Sequence, residues 1–117
     1  MRIEIRGRNV EVDEELREHV IKRFRRVGRQ VSPLATLDVE ICEERNPSIA
    51  NRYVAEATLR LKGKTLRARE ASPVMAHTIH ELAEDIRRQV KRHREKRRKR
   101  SRTRRTVRRL RGQSAES

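Results

Sequence analysis

Apolar residues recur along this chain with two different periods. Residues 1–6 alternate, with Ile3 and Ile5 on one side and Glu4 and Arg6 on the other. That predicts a strand ending at Gly7. From Asp13 the period changes. Leu16, Val20, Phe24 and Val27 recur at helical steps, with Ile21 beside them. This is the one-sided stripe of a helix over about residues 14–29. Asp13 suits the N-cap, and Glu14 and Glu15 place negative charge in the first turn, where the helix dipole favours it. Gly28 weakens the last turn, and Ser32-Pro33 ends the helix.

Alternation then returns. Leu37, Val39 and Ile41 oppose Asp38, Glu40 and Cys42 in a second strand. The stretch E-R-N-P-S is turn chemistry. A third strand, about 52–62, sets Tyr53, Ala55, Ala57, Leu59 and Leu61 against Val54, Glu56, Thr58, Arg60 and Lys62. Gly63 lies in a tight turn, and Leu66, Ala68 and Glu70 oppose Thr65, Arg67 and Arg69 in a fourth strand. The last helical stripe is Met75, Ile79, Leu82, Ile86 and Val90. Ser72 is placed to cap this helix and Pro73 to occupy its first position. The order β-α-β-β-β-α predicts an α+β fold. Strands one and two pair in parallel, and strands two to four form an antiparallel meander. The four-stranded mixed sheet carries its two helices on one face and leaves the other face polar.

Charge divides the chain in a way that hydropathy does not. The formal net charge is +15. Residues 87–111 hold sixteen Lys and Arg against one acid, Glu95, so this stretch alone accounts for the whole excess. The rest of the chain is close to neutral, and a domain over residues 1–97 is expected to fold. The Arg-rich tail, 98–117, has little to bury and is expected to be disordered or ordered only by RNA. A segregated basic arm asks for a polyanionic partner. An anionic membrane fits poorly, because the tail has only Val107 and Leu110 as apolar anchors. One cysteine, Cys42, makes no intramolecular disulfide and suits a reducing compartment. The first residues, M-R-I-E-I-R-G-R, lack the apolar core of a secretory signal, so a cytoplasmic location is expected.

Candidate chemistry is sparse. H-E-L-A-E at 80–84 falls one histidine short of the H-E-x-x-H zinc motif, and no third ligand is evident for His80 and Glu84. Cys42 has no activating neighbour in the sequence. The glycines are scattered, so no phosphate-cradling loop exists. No enzyme activity, metal, cofactor or small-molecule substrate is expected. Arg outnumbers Lys in the arm, and its planar fork binds phosphate bidentately. Phe24 and Tyr53 are the only aromatics. Readers of single-stranded bases use aromatic platforms, so backbone and shape recognition of folded RNA is the better expectation. A helix over 74–98 would be about 37 Å long and would project its cationic end beyond the core.

Three stretches carry a resemblance to a known family: I-E-I-R-G-R-N-V-E-V-D-E-E-L-R-E-H-V (3–20), A-E-A-T-L-R-L-K-G (55–63) and A-R-E-A-S-P-V-M-A-H-T-I-H-E-L-A-E-D-I-R-R-Q-V-K-R-H-R-E-K (68–96). The chain resembles the ribosome hibernation promoting factors, which include the inhibitor called protein Y, in their short form. The resemblance implies a domain similar to the double-stranded RNA-binding fold. It also implies a non-enzymatic translation inhibitor on rRNA of the small ribosomal subunit, in the channel used by mRNA and tRNA. It would compete with both and block translation by occupancy.

The family's R-Q-L-x-K-x-K run matches Arg88, Gln89, Val90, Arg92 and Arg94, which implies rRNA contact by Arg88, Arg92 and Arg94. Basic positions late in the first helix match Lys22, Arg23 and Arg26. Lys91, Arg97 and Arg98 complete the expected RNA-binding set. Two departures stand out. Val74 and Ala76 replace an acidic and an aromatic position frequent in the family. The dimerisation domain of long members has no counterpart here, so the free protein is expected to be a monomer. The alternative class is a structural or assembly RNA-binding protein of the ribosome.

Overall fold

A computed structural model describes the backbone of residues 1–116 and the side chains of residues 1–100. Strand β1 (Arg2–Arg8) pairs in parallel with β2 (Thr36–Glu43), setting Ile3 opposite Leu37 and Ile5 opposite Val39. Strand β2 pairs antiparallel with β3 (Tyr53–Leu61), and β3 with β4 (Lys64–Ser72). The sheet order is β1-β2-β3-β4, as the alternation predicts. One face gathers Leu37, Val39, Ile41, Ala55, Ala57, Leu59, Leu66 and Ala68, all buried. Ala57 lies opposite Ala68. These small side chains leave room for the large ones of the covering helices.

The first helical segment differs from expectation. In place of one helix over 14–29 there are two, α1 (Glu14–Arg23) and α2 (Arg25–Gln30), so three helical segments cover the sheet. The break is Phe24, the largest fully buried side chain, with φ −89° and ψ 3°. The i→i−4 bonds bridge it: the Phe24 N–H reaches Val20 O and the Gly28 N–H reaches Phe24 O. The break is thus a local bend that brings Val20, Phe24 and Val27 together onto the core. Asp13 caps α1 as expected, its Oδ1 accepting from the Leu16 N–H at 2.8 Å.

Strand β1 runs one residue past its expected end at Gly7. Gly7 is required there for a steric reason. A Cβ at this position would lie 2.3 Å from the Val10 carbonyl oxygen, because the chain folds back sharply through Asn9 at φ 59°. Asn tolerates that left-handed conformation better than most residues. Gly7→Ala is expected to cost about 1–3 kcal/mol, as overpacking typically does. Urea unfolding measures this, and a loss under about 0.5 kcal/mol would show that the loop relaxes freely.

Helix α3 spans Met75–Glu116 and buries Ile79, Leu82, Ile86 and Val90, the stripe read from the sequence. Its start corrects the expected cap. Ser72 ends β4 and is buried, and the first helical bond runs from the Thr78 N–H to Val74 O, so Ser72 and Pro73 lie before the helix. Ser72 instead holds the entry from outside. Its hydroxyl lies 2.5 Å from Thr78 Oγ1 and donates to Val74 O at 2.7 Å. Thr78 is fully buried, and its hydroxyl reaches Tyr53 O at 3.1 Å on β3. No break in α3 marks the expected boundary at residue 97. The expectation for the tail falls mostly on residues 101–117, whose side chains lie outside those described.

The other sheet face is polar, and its carboxylates are matched. Glu4 pairs with Arg2, Asp38 with Arg60, Glu40 with Arg8, and Glu56 with Arg69. Such exposed pairs add little stability. They do neutralise four of the arginines on this face locally.

Candidate nucleic-acid interface

The interface follows from what happens to α3 after its apolar stripe stops. Val90 is the last buried residue of α3 among those described. The positions that would continue the stripe, one and two turns on, are His93 and Arg97. From Arg94 to Arg100 every described side chain is exposed. Helical spacing then sorts the cations into two rows.

One row is Glu84, Arg87, Lys91, Arg94 and Arg98, and it runs beside α2. Arg26 on α2 acts on the Glu84 carboxyl, and Gln30 shares a cleft with Arg94 and Arg97. Arg87 donates from Nε and NH2 to Glu84 at 3.1 and 2.9 Å. That hydrogen bond holds the Glu84 carboxyl below its usual range, helped by the charges of Arg87, His80 and Arg26 against the effect of burial. Glu84 is therefore committed to arginine. Among the described residues no three His, Cys, Asp or Glu side chains gather as metal ligands.

The second row, Asp85, Arg88, Arg92 and Lys96, runs along β4. Arg88 acts on the Glu70 carboxyl of β4. That carboxyl is held above its usual range by burial first, then by Asp85 and Glu81 and a hydrogen bond to Asp85. Gln89 locks this side, donating to Arg67 O at 2.8 Å and to Asp85 Oδ1 at 3.0 Å.

Eight of the nine expected RNA-binding residues thus occupy three places. Lys22, Arg23 and Arg26 lie at the end of α1 and the start of α2. Lys91, Arg94 and Arg98 lie in the row beside α2, and Arg88 and Arg92 lie in the row along β4. Arg97 stands between the rows and lines a cleft on each side. All nine are exposed, and among the described residues none is held in an ion pair. They contrast with the paired arginines of the open sheet face. The six on α3 present their charge on several sides of one projecting helix. Sequence reasoning missed Lys64 and Lys62, which flank Gly63 in the β3–β4 turn. The turn packs against α3, so Lys64 lines a cleft with Arg92, Lys96, Arg97 and Arg100. The K-G-K turn was visible in the sequence, but its neighbour thirty residues on was not.

Solved structures share this architecture. The N-terminal domain of Protein Y from Thermus thermophilus matches with TM-score 0.68 at 26% identity, over 80% of this chain and 99% of that domain. A ribosomal subunit interface protein from Coxiella burnetii matches in fold, with TM-score 0.67 at 20% identity, over 81% of this chain and 99% of that one. The class is therefore the small α+β domain of Protein Y type. Residues 3–98 match the family described as sigma 54 modulation protein / S30EA ribosomal protein, and the chain belongs to that family.

Its relatives include the ribosome hibernation promotion factor of Picosynechococcus sp., 28% identical over 96 residues. That match covers 81% of this chain, which spans only half of that protein. The ribosome hibernation promoting factor of Pseudomonas putida is 30% identical over 95 residues, covering 81% of this chain and 88% of that one. The resemblance read from residues 3–20, 55–63 and 68–96 holds.

Proposed function

We propose that this protein is a translation inhibitor that binds rRNA of the small ribosomal subunit in the channel used by mRNA and tRNA. It acts in the cytoplasm by filling space that the substrates of translation need. The observation that carries this reading is the set of nine exposed cations, none in an ion pair among the described residues, on the flanks of α3 and at the α1–α2 junction. Phosphate contacts position a protein on RNA without reading sequence. Two rows on opposite flanks of one helix suit a crevice with phosphates on more than one side. The folded sheet and helices supply the bulk. Its relatives bear the name of ribosome hibernation factors, which supports a ribosomal partner for this chain.

Occupancy makes the inhibition stoichiometric, reversible and mutually exclusive with mRNA and tRNA. Mass action then lets excess ligand displace the protein. The test follows labelled full-length protein on purified small subunits while mRNA and initiator tRNA are added. Displacement in step with ligand occupancy is expected. Full retention beside both ligands at saturation would place the site elsewhere and favour a structural ribosomal protein.

A further inference from the structure

The β3–β4 turn and α3 enclose a cleft of about 380 Å³ whose chemistry is one-sided. Its wall holds Lys64, Arg92, His93, Lys96, Arg97 and Arg100, with no carboxylate among its lining residues. Gly63 opens the mouth: it sits at φ 75°, with nothing within 4 Å of where a Cβ would be. Gln89 also lines the cleft, but its amide is committed to Arg67 O and Asp85. On the far side of His93 lies a second cleft, rimmed by Arg60, Lys62, Arg94 and Arg97. His93 is therefore faced by cations from β3, from β4 and along α3.

We propose that the cleft between the β3–β4 turn and α3 is a discrete oxyanion site for a phosphate group, in which His93 is one of the donors. Like charges gathered around a space with no acid repel one another, and a dianion placed among them relieves that repulsion. The imidazole makes the site proton-coupled. Burial first, and then Arg97, Lys64, Arg100 and Lys96, hold His93 below the ordinary histidine range in the free protein. An anion in the cleft offsets the neighbouring positive charges and favours the imidazolium, which can donate from both ring nitrogens. Bound His93 thus titrates higher than free His93. By linkage, entry of the anion takes up a proton, and binding tightens as pH falls through the histidine range. The phosphate can come from an RNA backbone or from a small free anion. The RNA source rests on the proposed function, and the free-anion source does not.

The test is a titration of the full-length protein in which NMR follows the His93 imidazole from about pH 5 to about pH 8, assigned by comparison with His93→Gln. Two probes are used: sodium sulfate at constant ionic strength, and a short RNA duplex. Neither changes charge in this window, so proton uptake reports the protein. Sulfate is expected to raise the His93 midpoint by about one unit, which makes its binding about tenfold tighter on the acid side. Lys64→Ala should weaken sulfate binding, and His93→Gln should flatten the pH dependence while retaining the fold. A midpoint raised by RNA assigns the site to an RNA phosphate. One raised by sulfate alone assigns it to a free oxyanion. A midpoint unmoved by both, or a sulfate response unchanged in Lys64→Ala, overturns the site. Displacement from small subunits is measured separately, so failure of the ribosomal reading leaves the sulfate result standing.

Discussion

Raising salt from about 50 to about 200 mM is expected to weaken binding of this protein to ribosomal RNA by roughly 10³–10⁵, if 6–10 phosphates are contacted as on duplex DNA. The physical cause is counterion release. Each cation that neutralises a phosphate frees a condensed ion, and added salt opposes that release. The structure supplies enough cations for the effect. Nine exposed ones have no ion-pair partner among the described residues, and they project from the body on two flanks of α3 and at the α1–α2 junction.

Replacing Arg88, Arg92 and Arg94 together by Ala should reduce the salt slope by about 2–3, since each duplex contact contributes about 0.9. The same triple variant should melt almost where the parent does, because all three side chains face water. Filter binding or fluorescence anisotropy across a salt series gives both slopes. A nearly flat response in the parent protein would end the phosphate account.

Leu82→Ala is expected to cost about 2–5 kcal/mol, the lost transfer energy plus a cavity. Leu82 is fully buried, as are Ile79 and Ile86 on either side of it along α3. The stripe meets the alanine-rich centre of the sheet, where Ala55 and Ala57 are too small to close a gap. Val74→Ala on the same segment is the control. Val74 is 56% exposed, so its loss should fall within about 0.5 kcal/mol. Urea midpoints with an unchanged slope measure both. A Leu82 effect no larger than that of Val74 would mean that a different face of α3 covers the sheet.

Most of the fold was legible because burial repeats with the period of the local structure. Leu37, Val39 and Ile41 alternate in the chain and are buried in the sheet for the same reason. The α3 stripe is as plain. What periodicity misses is a local departure that keeps the period. Val20, Phe24 and Val27 read as one helix, and the bend at Phe24 preserves their common face. Ser72-Pro73 reads as a helix start, yet the strand pairing of Ser72 with Tyr53 extends β4 and delays the helix to Met75. Thr78 carries no periodic signal at all. It is buried because its hydroxyl finds partners on Ser72 and on the Tyr53 carbonyl, which only the folded sheet brings near.

A neutral α+β body and one cationic arm can be read from the order of residues alone, because composition and period are properties of the linear chain. The sequence also marked out the nine candidate residues as cations, by type and by resemblance. Which arginines are spent in ion pairs and which are not depends on the folded arrangement. Arg8, Arg60 and Arg69 look no different in sequence from Arg88 or Arg92, but strand register sets the first group against carboxylates on neighbouring strands. The β3–β4 turn likewise gains its role only from docking, when Lys64 meets Arg92, Lys96, Arg97 and Arg100 across a shared cleft. Electrostatic interaction depends on distance in space, and residues far apart in the chain acquire that distance only on folding.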